Sequence, residues 1–466
     1  MTTNSEIHFE LVELSGHVVA KGAWSATLRA NCLYQSARLA KPGRRCLLLH
    51  GSSEITPITP LAALDLQLGS CIQVVWLSSS ANGRHLQSTS GTAFAAIKAD
   101  GSVVTWGKAP FGGDSSAAAP FLTEGVVTVC RSSAAFAAIK ADGRVVTWGE
   151  ALAGGDSSAV APLLTEGVLQ VCGNNVAFAA IKVDGSVVTW GVASCGGDSS
   201  AVAPLLAEGV FQVHGNKNAF AAIKADGSVV TWGDASCGGD SSTVAPLLTE
   251  GVLQVCGSSE AFAAIKADGS VVTWGHARFG GDSSAVAPLL MKGVVQVCGN
   301  KKAFAAIKAD GSVVTWGKAE GGGDSSAVAP LLTEGVVQVY GNHEAFAAIK
   351  VDGSVVTWGY ANGGGDSSKV APLLKDRVVH VCGSSLAFAA IKADGSVVTW
   401  GHDTYGGNSS AVAPLLTEGV VDVCGGTMAF AAIKADGSVV TWGSAPFGGD
   451  SSAVAALLAE GVVEVC

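Results

Sequence analysis

The motif "GGDSS" recurs along the chain, first at Gly112–Ser116, and carries side chains that could do chemistry. A serine nucleophile needs a base within hydrogen-bonding distance, and no histidine of the sequence keeps a fixed position relative to this motif. Calcium needs several oxygen ligands converging on one point, whereas the motif supplies one aspartate every 42 residues. We therefore predict that the motif is a turn whose aspartate caps its own backbone, and that the protein is not an enzyme.

Lysines and aspartates also recur, because each "AFAAIK" segment ends in a lysine that is followed two residues later by an aspartate. These charges could form an anion-binding ring, but a solvated rim of hairpins with local ion pairs, each contributing less than about 1 kcal/mol, is the favoured interpretation. The sequence contains no phosphate-binding glycine loop, no CxxC pair and no HExxH motif. It therefore predicts no cofactor and no metal.

A repeat of 42 residues positions all these groups and runs from residue 93 to residue 466 without an insertion. In one copy "VLQVC" predicts a strand A, "AFAAIK" a strand B and "VVTWG" a strand C, with an Asp-Gly hairpin between B and C. The segment "AVAPLL" predicts a short outer strand D, because Pro204 is tolerated at a sheet edge. Phenylalanine and tryptophan could form a ligand cage, but we predict that they fill the core between neighbouring sheets. Phenylalanine occurs at residues 94, 136, 178, 220, 262, 304, 346, 388 and 430, and tryptophan twelve residues after each of them.

The first "AFAAIK" has no strand A before it in register, and the last copy ends in "GVVEVC" at Gly461–Cys466. This offset predicts a ring in which the final strand A completes the first sheet and leaves no exposed edge. A fragment of a longer array is the alternative.

The unit "VVQVCGNxxAFAAIKADGSVVTWGxxxxGG…P" resembles the regulator-of-chromosome-condensation repeat, in the short form of the bacterial propeller inhibitor of β-lactamase. The resemblance covers residues 93–466 and implies a β-propeller. Two departures stand out, because the histidine that the family often places before strand B is absent and nine units replace the usual seven. The predicted fold is therefore mainly β, with nine blades closed by the C-terminal strand.

Residues 1–77 do not fit the repeat and predict a separate domain. "IHFELVELSGHVVAKGAW" predicts two strands joined by a turn at Ser15–Gly16, and "SATLRANCLYQSARLA" predicts a helix that Ser25 caps. The stretch "RRCLLLHGSSEITPITPLAALDLQLGSCIQVVWL" resembles the second half of ubiquitin, which implies an α+β ubiquitin-like (β-grasp) domain. No terminal Gly-Gly follows Leu77, so a docking role is expected rather than conjugation. Residues 78–92 predict a linker rich in serine and glycine, and residues 93–466 the propeller.

Composition and charge limit the classes of partner. The chain has 466 residues with a net charge of −10, and the basic residues 1–90 precede a strongly acidic repeat region. This charge disfavours nucleic acid as a partner. We find no apolar run long enough to cross a membrane and no secretory signal. Cysteines recur in one register and predict free thiols in a reducing compartment, so the expected location is intracellular, either cytoplasmic or nuclear.

Two short windows differ between copies that are otherwise almost identical. One window follows "TWG" and the other follows strand A, and the chain direction predicts that both lie on one face, here called the variable face. We predict that it binds a protein partner through exposed aromatic and cationic residues, with neutral drift in solvent loops as the alternative. The candidate residues are Phe111, Arg278, Phe279, Lys301, Lys302, His343, Tyr360, Tyr405 and Phe447.

The predicted function is a non-enzymatic scaffold for protein–protein interaction. Two other functions stay open, both implied by the family resemblance. One is nucleotide exchange on a small GTPase or an association with chromatin, and the other is substrate recognition within a ubiquitin ligase system. Fold alone does not choose between them.

Overall fold

The computed structural model describes residues 6–13, 15–25, 30, 33, 36–37, 45–51, 53–55, 59, 61, 64, 71–77 and 91–466. This part of the chain is mainly β. The helix predicted from Ser25 and the linker predicted at residues 78–92 lie largely outside the described residues. Within the ranges given above, no helix combines the length and the apolar character that a membrane crossing requires.

A five-stranded sheet forms the N-terminal part. Its strands are β1 (Glu6–Glu13), β2 (Val18–Ser25), β3 (Arg45–His50), β4 (Ser53–Ile55) and β5 (Cys71–Leu77). Their spatial order is β2-β1-β5-β3-β4, with β1 and β5 parallel and the other pairs antiparallel. The predicted turn between β1 and β2 is confirmed, since Gly16 adopts a φ of 85° that favours glycine. Leu11, Leu33, Leu48 and Ile72 are fully buried in the core of this sheet.

Residues 91–466 form nine antiparallel sheets of three strands, numbered here 1 to 9 in the chain order of their B strands. The B strands are Ala93–Lys98, Ala135–Lys140, Ala177–Lys182, Ala219–Lys224, Ala261–Lys266, Ala303–Lys308, Ala345–Lys350, Ala387–Lys392 and Ala429–Lys434. The C strands are Val103–Gly107, Val145–Gly149, Val187–Gly191, Val229–Gly233, Val271–Gly275, Val313–Gly317, Val355–Gly359, Val397–Gly401 and Val439–Gly443. The A strands of sheets 2 to 9 are Val126–Arg131, Val168–Gly173, Val210–Gly215, Val252–Gly257, Val294–Gly299, Val336–Gly341, Val378–Gly383 and Val420–Gly425.

The strand order within each sheet is A-B-C, as the hairpin pattern predicts. Gly101, in the hairpin between B and C of sheet 1, has a φ of 77°, which explains the Asp-Gly pair in each copy. Sheet 1 takes its A strand from the other end of the chain, because Val462–Val465 pairs antiparallel with Ala93–Lys98. Each of the nine sheets therefore contains one A strand, one B strand and one C strand.

Each sheet packs against the next through an apolar layer. The phenylalanine of strand B stacks on the tryptophan of strand C, as Phe262 does on Trp274 with ring centroids 5.4 Å apart. This pair packs on the alanines and isoleucine of the preceding B strand, here Ala219, Ala221 and Ile223. The same contact joins every consecutive pair of sheets and also joins sheet 9 to sheet 1. Burying one such phenylalanine contributes about 2–3 kcal/mol.

Hydrogen bonds of the tryptophans follow the same path between sheets. Trp274 Nε1 donates to the Gly238 carbonyl 3.0 Å away and 36 residues earlier in the chain. Trp106 Nε1 in sheet 1 donates to the carbonyl of Gly448, in the segment after sheet 9. Every tryptophan of the repeat is thus tied to the preceding unit, so the predicted core role of these aromatic residues holds.

The predicted outer strand D is wrong. The segment forms a 3-10 helix in most units, as at Ser200–Leu205, and a short α-helix at Ala287–Leu290 in one. Pro204 fixes φ near the helical value and supplies no N–H for a ladder, so the chain turns instead of extending. Leu206 is buried behind the turn, and its carbonyl accepts one hydrogen bond from Val187 of strand C. Short 3-10 turns also follow each C strand, as at Ala193–Cys195.

The hairpin rim differs in detail from the expected local ion pairs. Asp100 accepts hydrogen bonds from the backbone and the hydroxyl of Ser102, and these bonds lower the pKa of its carboxyl. Lys140 Nζ donates to the Phe121 carbonyl 3.1 Å away. The hairpin aspartates therefore serve as turn caps, because the nearest donors come from their own turn.

Candidate partner-binding surface

Side-chain hydrogen bonds hold the two variable windows beside each other. The turn between strands A and B, here called the A–B turn, begins with a buried asparagine or serine in most units. Asn342 Nδ2 donates to the Gly363 carbonyl 2.6 Å away in the turn after strand C. Ser384 Oγ makes the equivalent bond to the Tyr405 carbonyl at 2.7 Å. The two variable windows therefore lie side by side because the same hydrogen bond, from a buried asparagine or serine, joins them in these units. The side chains that differ between copies lie around this bond.

Asn342→Ala should lower the free energy of unfolding by about 1.5 kcal/mol. The side-chain oxygen Oδ1 of Asn342 also accepts from the backbone N–H groups of Glu344 and Ala345, both at 2.9 Å, so removing this side chain leaves those donors unpaired. Asn342→Ser is the matched control, because Ser384 holds the same position in sheet 8. Urea unfolding should show most of the stability retained in the serine variant, and equal losses in both variants would contradict this role.

Backbone hydrogen bonds join the A–B turns of neighbouring sheets. Ser133 N–H donates to the Asn175 carbonyl at 3.0 Å, and Ser385 N–H donates to the Thr427 carbonyl at 3.1 Å. Thr427 N–H in turn donates to the carbonyl of Gly91, just before the first B strand. The first two bonds link residues that are 42 positions apart, and the third links the last A–B turn to the segment before the first B strand.

The structure places the predicted aromatic residues in the 3-10 turns after strand C. Phe111, Phe279, Tyr405 and Phe447 are half-buried there, and Tyr360 is 44% exposed. Phe279 packs edge-on against His276, with ring centroids 5.2 Å apart, and Tyr405 does the same against His402. Arg278 is exposed beside Phe279.

Lys108 brings two of these aromatic residues together. Its ammonium lies 4.5 Å from the ring centre of Phe111 and 5.9 Å from that of Phe447, which belongs to the last copy of the repeat. Sequence reasoning missed Lys108, and it also missed Leu152, which is 75% exposed in the same window. Both could have been found, because both occupy the variable window after "TWG".

The predicted cations Lys301, Lys302 and His343 lie in the A–B turns of sheets 6 and 7. Lys302 forms an ion pair with Glu344 of the next sheet, in which both side chains are 22% exposed. Burial lowers the pKa of Lys301 to about 8; Glu344 raises it, and the charge of Lys217 lowers it. Burial likewise lowers the pKa of His343, which Lys301 and Arg131 lower further.

Four charged residues in or beside the A–B turns were not predicted: Arg131, Lys217, Glu260 and Glu344. Lys217 Nζ lies 3.3 Å from Glu260 Oε1 of the next sheet. Arg131 stands where the A strands of sheets 3 to 9 end in glycine, and its Nη2 donates to the Gly425 carbonyl 2.8 Å away. That single exception to glycine was the available signal for Arg131.

The "GGDSS" turn is built as predicted. Asp114 Oδ1 accepts the Ser116 backbone N–H at 2.8 Å, and this bond lowers the pKa of the carboxyl. Across the described part of the chain, no three His, Cys, Asp or Glu side chains are grouped as metal ligands would be. Ten of the described cysteines form no disulfide, and burial raises the pKa of Cys298 to about 12.

No protein-family model matches this chain, and no curated protein matches it. Among solved structures, Prp20p from Saccharomyces cerevisiae is similar with 14% identity and a TM-score of 0.35, over 75% of this chain and 80% of Prp20p. Yeast RCC1 (Prp20) bound to Kap60 gives 15% identity and a TM-score of 0.34, over 79% and 83%. Human WBSCR16 gives 16% identity and a TM-score of 0.33, over 48% and 74%. Similarity at this level carries no information about function.

Proposed function

We propose that this protein is a non-enzymatic scaffold in which nine blades form a closed β-propeller and the variable face binds a protein partner. One observation carries the proposal. The same buried hydrogen bonds hold two variable windows side by side in successive units, whereas the rest of each unit is nearly constant. A constant frame that presents different side chains at one position in each copy is suited to recognition of a protein surface.

Three contacts support closure of the propeller at sheet 1. Val462–Val465 supplies its A strand, Trp106 donates to the Gly448 carbonyl, and Phe94 packs in one cluster with Ala429 and Ala431. Each has a counterpart between sheets that are consecutive in the chain. Closure of this kind leaves no sheet without a neighbour.

The proposed boundaries are residues 1–77 for a ubiquitin-like domain, 78–92 for a linker and 93–466 for the propeller. The strand order β2-β1-β5-β3-β4 supports the first of these, because it is the order of the β-grasp fold. Phe211 of sheet 4 belongs to the core cluster of this domain and is 8% exposed. Val295 and Val337 at the same register are 58% and 54% exposed. This difference supports docking of the domain against strand A of sheet 4.

A variant with four changes on the variable face tests the proposed function: Leu152→Ser, Arg278→Ser, Tyr360→Ser and Phe447→Ser. We expect its affinity for a captured partner to fall at least about tenfold, because aromatic and arginine side chains carry most interface energy. Affinity should be measured by surface plasmon resonance on partners captured with the full chain.

Val183→Ser with Val351→Ser is the matched control, because these valines are 42% and 76% exposed at the B–C hairpins. The control should bind as the unmodified chain does. A partner whose affinity falls only in the control, or in neither variant, would overturn the assignment to the variable face.

A further inference from the structure

Basic side chains from several sheets converge where the A–B turns meet. We call Arg131, Lys217, Lys301, Lys302 and His343 the basic cluster. Lys217, Lys301 and His343 occupy the same position in their turns, the position whose backbone groups bond from one sheet to the next. The charge of Lys217 acts on Lys301 two sheets away, and that of Arg131 acts on His343 five sheets away. Lys217 N–H also donates to the Ser259 carbonyl at 3.1 Å and Ser259 N–H to the Lys301 carbonyl at 3.3 Å, so the turns that carry Lys217 and Lys301 are joined through one turn between them.

The acids of these turns do not neutralise the cluster. The eight A–B turns of sheets 2 to 9 hold three lysines, and Arg131 at the end of a strand A adds a fourth cation, against two acids, Glu260 and Glu344. Glu260 pairs with Lys217, and Glu344 pairs with Lys302. An excess of two positive charges therefore remains, although the whole chain has a net charge of −10. Cations gathered in an acidic protein, and partly removed from water, repel each other unless an anion joins them.

Arg131 has a donor that no acceptor among the described residues satisfies. Its Nη2 bonds to the Gly425 carbonyl, whereas Nη1 is buried and makes no hydrogen bond within the described residues. A buried guanidinium nitrogen without an acceptor is costly. At Gly91 there is no room for a side chain, because a Cβ would lie 2.7 Å from this Nη1 atom. Arg131 is therefore packed closely against the segment that enters the first B strand.

We propose that the basic cluster is a binding site for an oxyanion of the phosphate class, either free or as a phosphoryl group on a partner. A guanidinium offers paired N–H donors and ammonium groups add point charges, the combination that binds phosphate. The dianion of phosphate balances the excess of two positive charges. The proposal extends the proposed function, since the cluster lies within the variable face, but its test requires no protein partner.

The test is calorimetric titration of the full chain with inorganic phosphate at constant ionic strength, with chloride as the replaced anion. We expect a dissociation constant below about 1 mM. Lys217→Gln with Lys301→Gln should weaken binding at least about tenfold. The matched control is Lys292→Gln with Lys308→Gln, which makes the same charge change away from the A–B turns and should bind phosphate as the unmodified chain does.

Circular dichroism checks that each variant folds, and Arg131→Gln provides a second variant in which the same weakening is expected. No binding by the unmodified chain at about 10 mM phosphate, or equal binding by both lysine pairs, would overturn the proposal. A peptide with one phosphoserine, compared with its unphosphorylated form, distinguishes the sources. Tighter binding of the phosphopeptide than of phosphate supports a phosphoryl group on a partner, and equal binding supports a free anion.

These results separate from those of the partner experiment. If the four-residue variant loses partner binding and the unmodified chain does not bind phosphate, the proposed function stands and the anion site is removed. If phosphate binding depends on Lys217 and Lys301 but the four-residue variant binds every partner normally, the anion site stands and the proposed function is removed.

Discussion

Val465→Asp is expected to lower the free energy of unfolding by at least about 3 kcal/mol, because it buries a carboxylate in an apolar cluster without a partner of opposite charge. Val465 is 0% exposed and packs with Phe94 and Trp106 of sheet 1. Protonation of the new carboxyl would relieve only part of this cost. Urea unfolding followed by tryptophan fluorescence measures the change, since Trp106 lies in the same cluster.

Val463→Asp is the matched control, two residues away in the same strand. Val463 is 55% exposed, so the same substitution should change the free energy of unfolding by less than about 1 kcal/mol. The pair of variants also tests closure of the propeller. In an open array the last strand would cover no first sheet, and the two aspartates would then have similar, small effects.

Gly299→Ala is the second substitution with a large expected effect, a loss of about 2–3 kcal/mol. A Cβ at this position would overlap with the carbonyl oxygen of Gly257 in the preceding sheet and lie 3.0 Å from the ring of Phe304. The carbonyl belongs to the backbone and cannot turn aside as a flexible side chain would. The two neighbouring sheets must therefore separate at the A–B turns, where their backbones bond to each other.

Arg131→Ala is the comparison for Gly299→Ala, because Arg131 holds the same register and already has a Cβ. Arg131→Ala should lower the free energy of unfolding by about 1 kcal/mol, because it removes the hydrogen bond from Nη2 to the Gly425 carbonyl. Thermal unfolding monitored by circular dichroism compares the two variants. If Arg131→Ala lowers the stability as much as Gly299→Ala or more, close packing of the turns is not the reason for glycine at this position.

Local patterns account for the parts of the fold that were predicted well. Strands A, B and C and the hairpin between B and C follow from apolar alternation and the Asp-Gly pair, which act within one unit. The outer segment was predicted wrongly because its apolar residues also suit a strand. Its true form depends on Pro204 and on Leu206 packing behind the turn, and the second of these is a tertiary contact.

The candidate partner-binding surface was also predicted only in part from the sequence. Variation between copies identified Phe111, Arg278 and Tyr360, because the repeats of one chain can be compared with each other. It did not identify the link between Lys217 and Lys301, since these residues are two units apart and are connected only through the backbone hydrogen bonds of the A–B turns. Whether the predicted residues bind a partner stays a prediction, and the four-residue variant tests it.

The sequence by itself determined the repeating unit, its three strands, the aromatic core and the two variable windows, because each is encoded within 42 consecutive residues. Only the tertiary structure decided which groups meet between units. Trp274 reaches the Gly238 carbonyl, Val465 covers Phe94, and Arg131 lies beside Gly91 and Gly425. These contacts depend on how sheets stack and where the two ends of the repeat region meet. No local pattern encodes this, since the same unit would fit an open array or a ring.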